Sequence, residues 1–357
     1  MARIHVVGAG PAGSIAAMNA LRFGHDVVVS EDHPAAGVPE NCSGLFSIDG
    51  LQTLSDFIDY RKFIIQPIHG ADIHLVDQNL SVRRRKPVGY VCDRKAMDHH
   101  LASRAECEGA KINYGERVSN RFHADNIIGA DGPLSTVARH FRFRPIQRHV
   151  STLQAVLPYR AKDPGVVEVF LSNSRFPGFF AWIIPHDEYA AEFGVGVELP
   201  DKPLESWKRL LRLKSIHNAP PPKGAVIPIE TRSQTAMRIG KRNILLAGDA
   251  AGQVKSTTGG GVIFGGNCGA LAGRHALAPK RYEMEWRLRY GTDLAMHLII
   301  HDYLASMSDK EMSAFGRRLK KLNCDSYLSR HGHMDRPTRM IGPAILLHLM
   351  KNMTGVA

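Results

Sequence analysis

The chain has 357 residues, 44% of them apolar and 22% charged, which is enough for about two domains and excludes a disordered chain, a collagen-like repeat and a small disulfide scaffold. Lys and Arg number 46 against 34 Asp and Glu, a formal charge of +12, in short groups at Arg83–Lys86, Lys208–Lys214 and Arg317–Lys321. No zinc knuckle, KH loop or aromatic platform accompanies them, so nucleic acid is not expected; the surface suits an anionic membrane, a phosphorylated substrate or an acidic protein partner.

Residues 3–8 predict a buried strand that breaks into Gly8-Ala9-Gly10-Pro11-Ala12-Gly13, followed by a helix from Ser14 to Phe23 and a second buried strand from Asp26 to Ser30 that ends at Glu31. Residues 51–86 mix short strands and turns, with His74 and Leu75 near an alternating run. Arg94 to Glu108 has a helical pattern carrying Met97, Leu101 and Ala105, and Ala124–Ala130 is a buried strand ending in Asp131-Gly132. From 151 to 199 the alternation of Val166–Leu171, Phe179–Ile184 and Ala190–Val197 predicts an antiparallel sheet. Residues 243–249 form a third buried strand ending in Gly248-Asp249, and a glycine turn from Thr257 to Gly266 leads into a helix through Ala270–Leu277. After Lys280 the pattern is helical, broken at Gly342-Pro343.

The expected fold is therefore α/β: a discontinuous Rossmann-type domain (1–50, 87–150 and 240–279), interrupted by a β-rich substrate domain with an antiparallel sheet (51–86 and 151–239), and a helical C-terminal region (280–357). The N-terminus has no charged leader with an apolar core, and no stretch reaches the ~18 apolar residues of a membrane span. A cytoplasmic chain follows as the expectation, with peripheral contact at the inner face of the cell membrane left open. Five cysteines (Cys42, Cys92, Cys107, Cys268, Cys324) at irregular spacings, with no CxxC, argue against a zinc or iron–sulfur site and a secreted disulfide framework. The 18 histidines include His99-His100 and His331-x-His333, which lack partners at ligand spacing, so no metal is expected.

Gly8, Gly10 and Gly13 lie in the strand–turn–helix frame that brings backbone amides and a helix N-terminus up to a pyrophosphate, with Pro11 and Ala12 inside the turn. Glu31 stands where an acid accepts hydrogen bonds from a ribose diol. Asp131-Gly132 and Gly248-Asp249-Ala250-Ala251-Gly252 each put an acid at a strand end; taken alone, either acid serves equally well as a helix cap.

Together the three motifs resemble the FAD-binding set of the hydroxylase-like flavoprotein superfamily. Within it, Gly248–Gly261 with Gly252 after Gly-Asp-Ala-Ala, the loop Pro39-Glu40-Asn41-Cys42-Ser43-Gly44-Leu45 and the run Pro177-Gly178-Phe179-Phe180-Ala181-Trp182-Ile183-Ile184-Pro185 resemble the geranylgeranyl reductase family. Phe180 and Ile184 replace the Tyr and Phe of that family's substrate motif, and Ser256 stands where Pro is common. The resemblance implies bound FAD, held by the three motifs with Cys42, Ser43, Gly44 and Arg94, and reduction of isoprenoid double bonds on an archaeal-type lipid precursor. It places Phe179, Phe180, Trp182 and Pro185 along the substrate, and the amides of Gly259, Gly260 and Gly261 beside the flavin, where Gly260 and Gly261 take part in catalysis with Trp182 and Cys42. Tight helix–sheet packing is the alternative reading of the glycines, and sheet core that of the aromatics. Cys42 is open to flavin contact, proton delivery, pairing with Cys324 or simple burial. The electron donor is left open between a ferredoxin and a nicotinamide. Two rival functions stand beside this one: a flavin-dependent monooxygenase or halogenase, since Phe180–Pro185 also resembles the halogenase Trp-x-Trp-x-Ile-Pro signature, and a non-catalytic flavin- or lipid-binding protein.

Overall fold

The computed structural model describes residues 1–40 and 42–340. Asn41 of the cysteine loop and, beyond Met340, the apolar run with its Gly342-Pro343 break lie outside the described residues.

The chain begins β1 (Arg3–Val7), α1 (Pro11–Arg22), β2 (Asp26–Glu31), β3 (Leu45–Ser47), α2 (Ile48–Gln52), β4 (Ile64–Ile68), β5 (Gly70–Leu75), β6 (Gln78–Arg83), β7 (Gly89–Cys92) and α3 (Arg94–Cys107). It continues with β8 (Lys111–Tyr114), β9 (Asn126–Gly129), α4 (Thr136–His140), β10 (His149–Pro158), β11 (Val166–Leu171), β12 (Ala181–Pro185), β13 (Ala190–Glu198) and α5 (Pro203–Leu213). The last elements are β14 (Lys223–Pro228), β15 (Ala236–Ile239), β16 (Arg242–Leu246), α6 (Val262–Arg274), α7 (Pro279–Trp286), α8 (Thr292–Ala305), α9 (Asp309–Lys321) and α10 (Cys324–His331).

Three sheets result. The six-stranded one has the order β15-β16-β9-β1-β2-β8 and is parallel except for β15. Its central strands are apolar on both faces, as strands covered by helices must be. The seven-stranded sheet, β14-β10-β13-β12-β11-β5-β6, is antiparallel apart from the pair β5–β11. A three-stranded sheet, β3-β7-β4, lies between them in sequence and mixes segments from both sides of the expected domain division. That division also cuts α2 at residue 50, and separates β15 from β16, which pair with each other; sheet pairing moves the later boundary to before Ala236.

The helix after the first glycine turn, α1, packs on α6, the helix after the second. Gly265, Gly269 and Gly273 form a stripe along α6: a Cβ at 269 would collide with the carbonyl of Ala12, and one at 273 with that of Ala16. Asn19 Nδ2 donates to the Ala270 carbonyl at 2.6 Å, across 251 residues of sequence. α7 seals the far edge, where Tyr282 donates to the Leu246 carbonyl at 2.6 Å and Trp286 Nε1 to Thr235 Oγ1 at 2.8 Å.

Candidate active site

The three glycines of the first turn do two different jobs. Gly8 has φ +99°, and a Cβ there would strike the Ala130 carbonyl; one on Gly13 would strike the Gly8 carbonyl. These two are demanded by packing. A Cβ on Gly10, by contrast, would meet no atom within 4 Å, so the backbone is bare toward open space at the N-terminus of α1, as close approach of a pyrophosphate requires. Buried Glu31 accepts from the Ala9 amide at 2.6 Å through Oε2, and from the His33 amide at 3.1 Å through Oε1, which fixes the turn against the end of β2. The Asp131-Gly132 strand end abuts Gly8, but the Asp131 carboxylate is turned into α4. It accepts from Ser135 Oγ at 2.6 Å and from the amides of Thr136 and Val137 at 2.6 and 3.0 Å. The cap reading holds for its side chain.

Asp249 behaves differently. Its carboxylate accepts no hydrogen bond from the described residues, and burial pushes it up to about 6 against the pull of Arg94. It sits against Gly261, where a Cβ would come within 2.7 Å of Oδ1. Gly252, at φ +70°, passes so close to the Glu230 carbonyl that any side chain would collide, which gives the glycine after Gly-Asp-Ala-Ala a steric reason. Gln253 closes this turn by accepting from the Gly248 amide at 2.9 Å and donating to Tyr282.

The second glycine turn is gripped on three sides: Gly259 by Ile227, Gly260 by the Lys255 side chain and Gly261 by Asp249. Tight packing is thus part of its reason. Yet the Gly260 and Gly261 amides donate to no described residue, while the Gly260 carbonyl accepts from the Lys255 amide. Two bare N–H groups therefore precede a 13-residue helix, next to a carboxylate that lacks a partner. Bare amides, an unpartnered acid and a cradle open at Gly10 fit an FAD molecule lying from the first turn to the second. Arg94 is mostly covered, its side chain 11% exposed; it pairs with Asp98 at 2.8 and 3.0 Å and lies within reach of the Cys42 thiol. Cys42 and Cys324 are both free thiols. Gly44 packs against the Cys92 carbonyl, and Ser43 follows Cys42 in the same loop.

Across from the turn stands an aromatic face. Trp182 and Phe179 are buried and form one cluster with Ile184, Val150, Val167, Val91 and Ile68, with Phe180 packed against it. Phe179 and Phe180 stack at 4.3 Å between centroids, and Phe180 lies 5.6 Å from Trp182. The rings lie flat because β13 offers no Cβ beneath them: a side chain on Gly194 would enter the Trp182 ring, and one on Gly196 the Phe179 ring. Pro185 stands apart from these rings. Strand alternation puts it with Ile183 on the opposite face, the side covered by α5.

Two groups escape a reading of the sequence. Glu192, 4% exposed on β13, accepts from Trp182 Nε1 at 3.0 Å, and burial pushes its carboxyl up to about 7. An acid amid the apolar run Ala190–Val197 was the available signal. Buried Lys255 pairs with buried Asp335 at 2.6 Å, Asp335 contacts Ser47 Oγ, and His297 links Thr257 Oγ1 (2.7 Å) to the Asp335 carbonyl (3.2 Å). Burial, helped by Lys255, holds His297 down to about 4. Eighty residues separate Lys255 from Asp335, so no local pattern marks the pair.

The FAD binding domain profile matches residues 93–270. Digeranylgeranylglycerophospholipid reductase 2 of Methanothermobacter thermautotrophicus is 28% identical, over 88% of this chain and 91% of the relative. The digeranylgeranylglycerophospholipid reductase of Methanothrix thermoacetophila is 29% identical over 86% and 88%. Among solved structures, a geranylgeranyl bacteriochlorophyll reductase-like protein from Thermoplasma acidophilum superposes with a TM-score of 0.77 at 22% identity, covering 99% of this chain and 97% of that one. The flavin-dependent halogenase CmlS gives 0.64 at 14%, covering 99% and 77%, so the fold is shared across different chemistries. With the glycine cradles and their bare amides in place, this chain is an FAD-dependent oxidoreductase, similar over most of its length to digeranylgeranylglycerophospholipid reductases.

Proposed function

We propose that the chain saturates carbon–carbon double bonds of geranylgeranyl chains carried on a glycerophospholipid precursor of archaeal membranes. The observation that carries this reading is the aromatic face over Gly194 and Gly196, a flat apolar floor opposite the second glycine turn. An isoprenoid chain has no hydrogen-bonding group, so such a floor holds it by area and excludes water. The reductase names of the relatives support the same substrate class.

On this reading the residues divide the work as follows. Gly8, Gly10, Gly13 and Glu31 take the ADP half of the cofactor, and Asp249 takes the ribityl region. The Gly260 and Gly261 amides, at the positive end of α6, face the part of the flavin that gains negative charge on reduction. Bound FAD supplies hydride chemistry toward the alkene. Trp182, fixed by Glu192, orients the chain against the cofactor, and Phe180 extends the floor without a hydroxyl. Arg94 and Cys42 border the cofactor from the other side. The basic surface suits docking of an acidic donor such as a ferredoxin, or of a nicotinamide, and peripheral contact with an anionic membrane. No helix among the described residues is long and apolar enough to cross a membrane.

The test is an anaerobic half-reaction. Dithionite-reduced holoenzyme mixed with digeranylgeranylglyceryl phosphate should regain oxidised-flavin absorbance while the lipid gains two hydrogens per double bond. A flavin that stays reduced until oxygen is admitted would overturn the proposal and favour a monooxygenase or halogenase.

A further inference from the structure

A cavity of about 480 Å³ opens where the β6–β7 connection meets α10 and the start of α2. It is lined by the whole basic run Arg83–Lys86, by Arg330 and by His333, with Asp49 as its one acid. Two of these cations are already used. Arg83 forms a bidentate pair with Asp72, and the Arg84 guanidinium caps α10 by donating to the carbonyls of Ser329 (2.8 Å) and Gly332 (2.9 Å). His333 lies 3.2 Å from Asp49. Arg85, Lys86 and Arg330 form no hydrogen bond or ion pair with the described side chains, so three uncompensated positive charges border one hollow. All three are exposed, so water screens their repulsion in the free protein, and together they offer an anion three donors at the edge of the hollow.

The position of the cavity says which anion. The connection runs directly into β7, whose Val91 belongs to the apolar cluster that holds Trp182. Two residues back, Gly89 pairs with Ser47, a lining residue of the cavity. Gly89 and Val91 are roughly 7 Å apart along β7, and Lys86 lies three residues before Gly89, so apolar wall and basic rim are at most about 17 Å apart along the chain, within the length of an extended prenyl chain. A ligand that spans both is apolar at one end and anionic at the other, and Ile48 and Met334 add apolar lining for a short polyol beside the charge.

We infer that this cavity seats the phosphate group of an amphiphilic substrate whose prenyl chain lies on the aromatic face. The inference rests on the reductase reading above, and free phosphate shares the same chemistry.

The test uses FAD-loaded enzyme and the variant Arg85→Ala/Lys86→Ala/Arg330→Ala, with Lys320→Ala/Lys321→Ala on exposed α9 as a loss of charge elsewhere. Reduction is followed with digeranylgeranylglyceryl phosphate and with geranylgeraniol, which lacks the phosphate; binding of glycerol 3-phosphate and inorganic phosphate is measured by calorimetry. The expected result is a KM for the phosphate-bearing lipid raised by about tenfold or more in the triple variant, with kcat within about twofold. Geranylgeraniol kinetics should not move, and glycerol 3-phosphate binding should disappear. Equal KM changes for both substrates, or the same change in the α9 variant, would overturn the inference. Loss of inorganic phosphate binding with both KM values unchanged would assign the cavity to free phosphate and overturn the head-group role. A wild-type enzyme that reduces neither substrate would sink the reductase reading, while the calorimetry would still decide the anion site.

Discussion

The cofactor cradle and the aromatic face are built on opposite principles. In the cradle the backbone is the working surface: Gly10 is bare toward the ligand, Gly260 and Gly261 offer amides, and the neighbouring glycines exist to let chain segments touch. On the aromatic face the side chains work, and the glycines, Gly194 and Gly196, are the floor on which the rings lie. The same residue type thus removes bulk for a ligand in one region and for a neighbouring ring in the other.

Substitutions separate these roles. The largest effect belongs to Gly13→Ala, whose methyl would collide with the Gly8 carbonyl: misfolded or FAD-free protein is expected, read by yield and by the flavin spectrum. Gly10→Ala has no protein atom to strike, so it should fold with a normal melting curve and yet weaken FAD binding; unchanged FAD affinity would erase the contrast between the two glycines. Next comes Asp335→Ala, which strands Lys255 as a buried charge and should cost about 3–5 kcal/mol in denaturant unfolding. The pair Lys255→Met with Asp335→Leu should recover much of that.

Glu192 tests the aromatic face through pH. Its folded carboxyl titrates near 7, above the ordinary 4.5, so the folded state holds the proton more tightly than the unfolded chain. That contribution is complete below about pH 4.5 and lost as pH rises through 7, a change of about 3 kcal/mol. Glu192→Gln keeps the acceptor for Trp182 and removes the titration. Its stability relative to wild type should climb between pH 5 and 8, and a parallel pair of curves would refute the assignment. The smallest effect is expected for Phe180→Tyr, below about 1 kcal/mol on stability at a partly open position, with any change confined to substrate kinetics.

Much of the cradle was legible because its requirements are local. The glycine spacing, the strand before it and Glu31 after it all fall within about thirty residues, and each strand-end acid follows an apolar run that marks it. What the sequence left undecided was the direction in which those acids point. Asp131 and Asp249 both follow strand ends, but one finds the N-terminus of α4 and the other finds no hydrogen-bond donor among the described residues. A family motif names a segment that includes Pro185, whereas strand parity assigns faces within it. Glu192, Lys255–Asp335 and the glycine stripe of α6 were missed for another reason: each takes its meaning from a segment distant in sequence or on a neighbouring strand, and no window along the chain contains both halves.

The contact between α1 and α6 has a consequence for the order of events in the cell. The first glycine turn is translated some 250 positions before residues 265–273, against which its helix packs. At ribosomal rates of about 5–20 residues per second, the emerging N-terminal segment waits roughly 10–50 s for its partner. Until then the small, apolar flank of Ala12, Ala16 and Ala20 stands uncovered on the nascent chain. High-affinity FAD capture therefore waits for the second glycine turn and α6, and the cofactor would report that both halves of its cradle have been made.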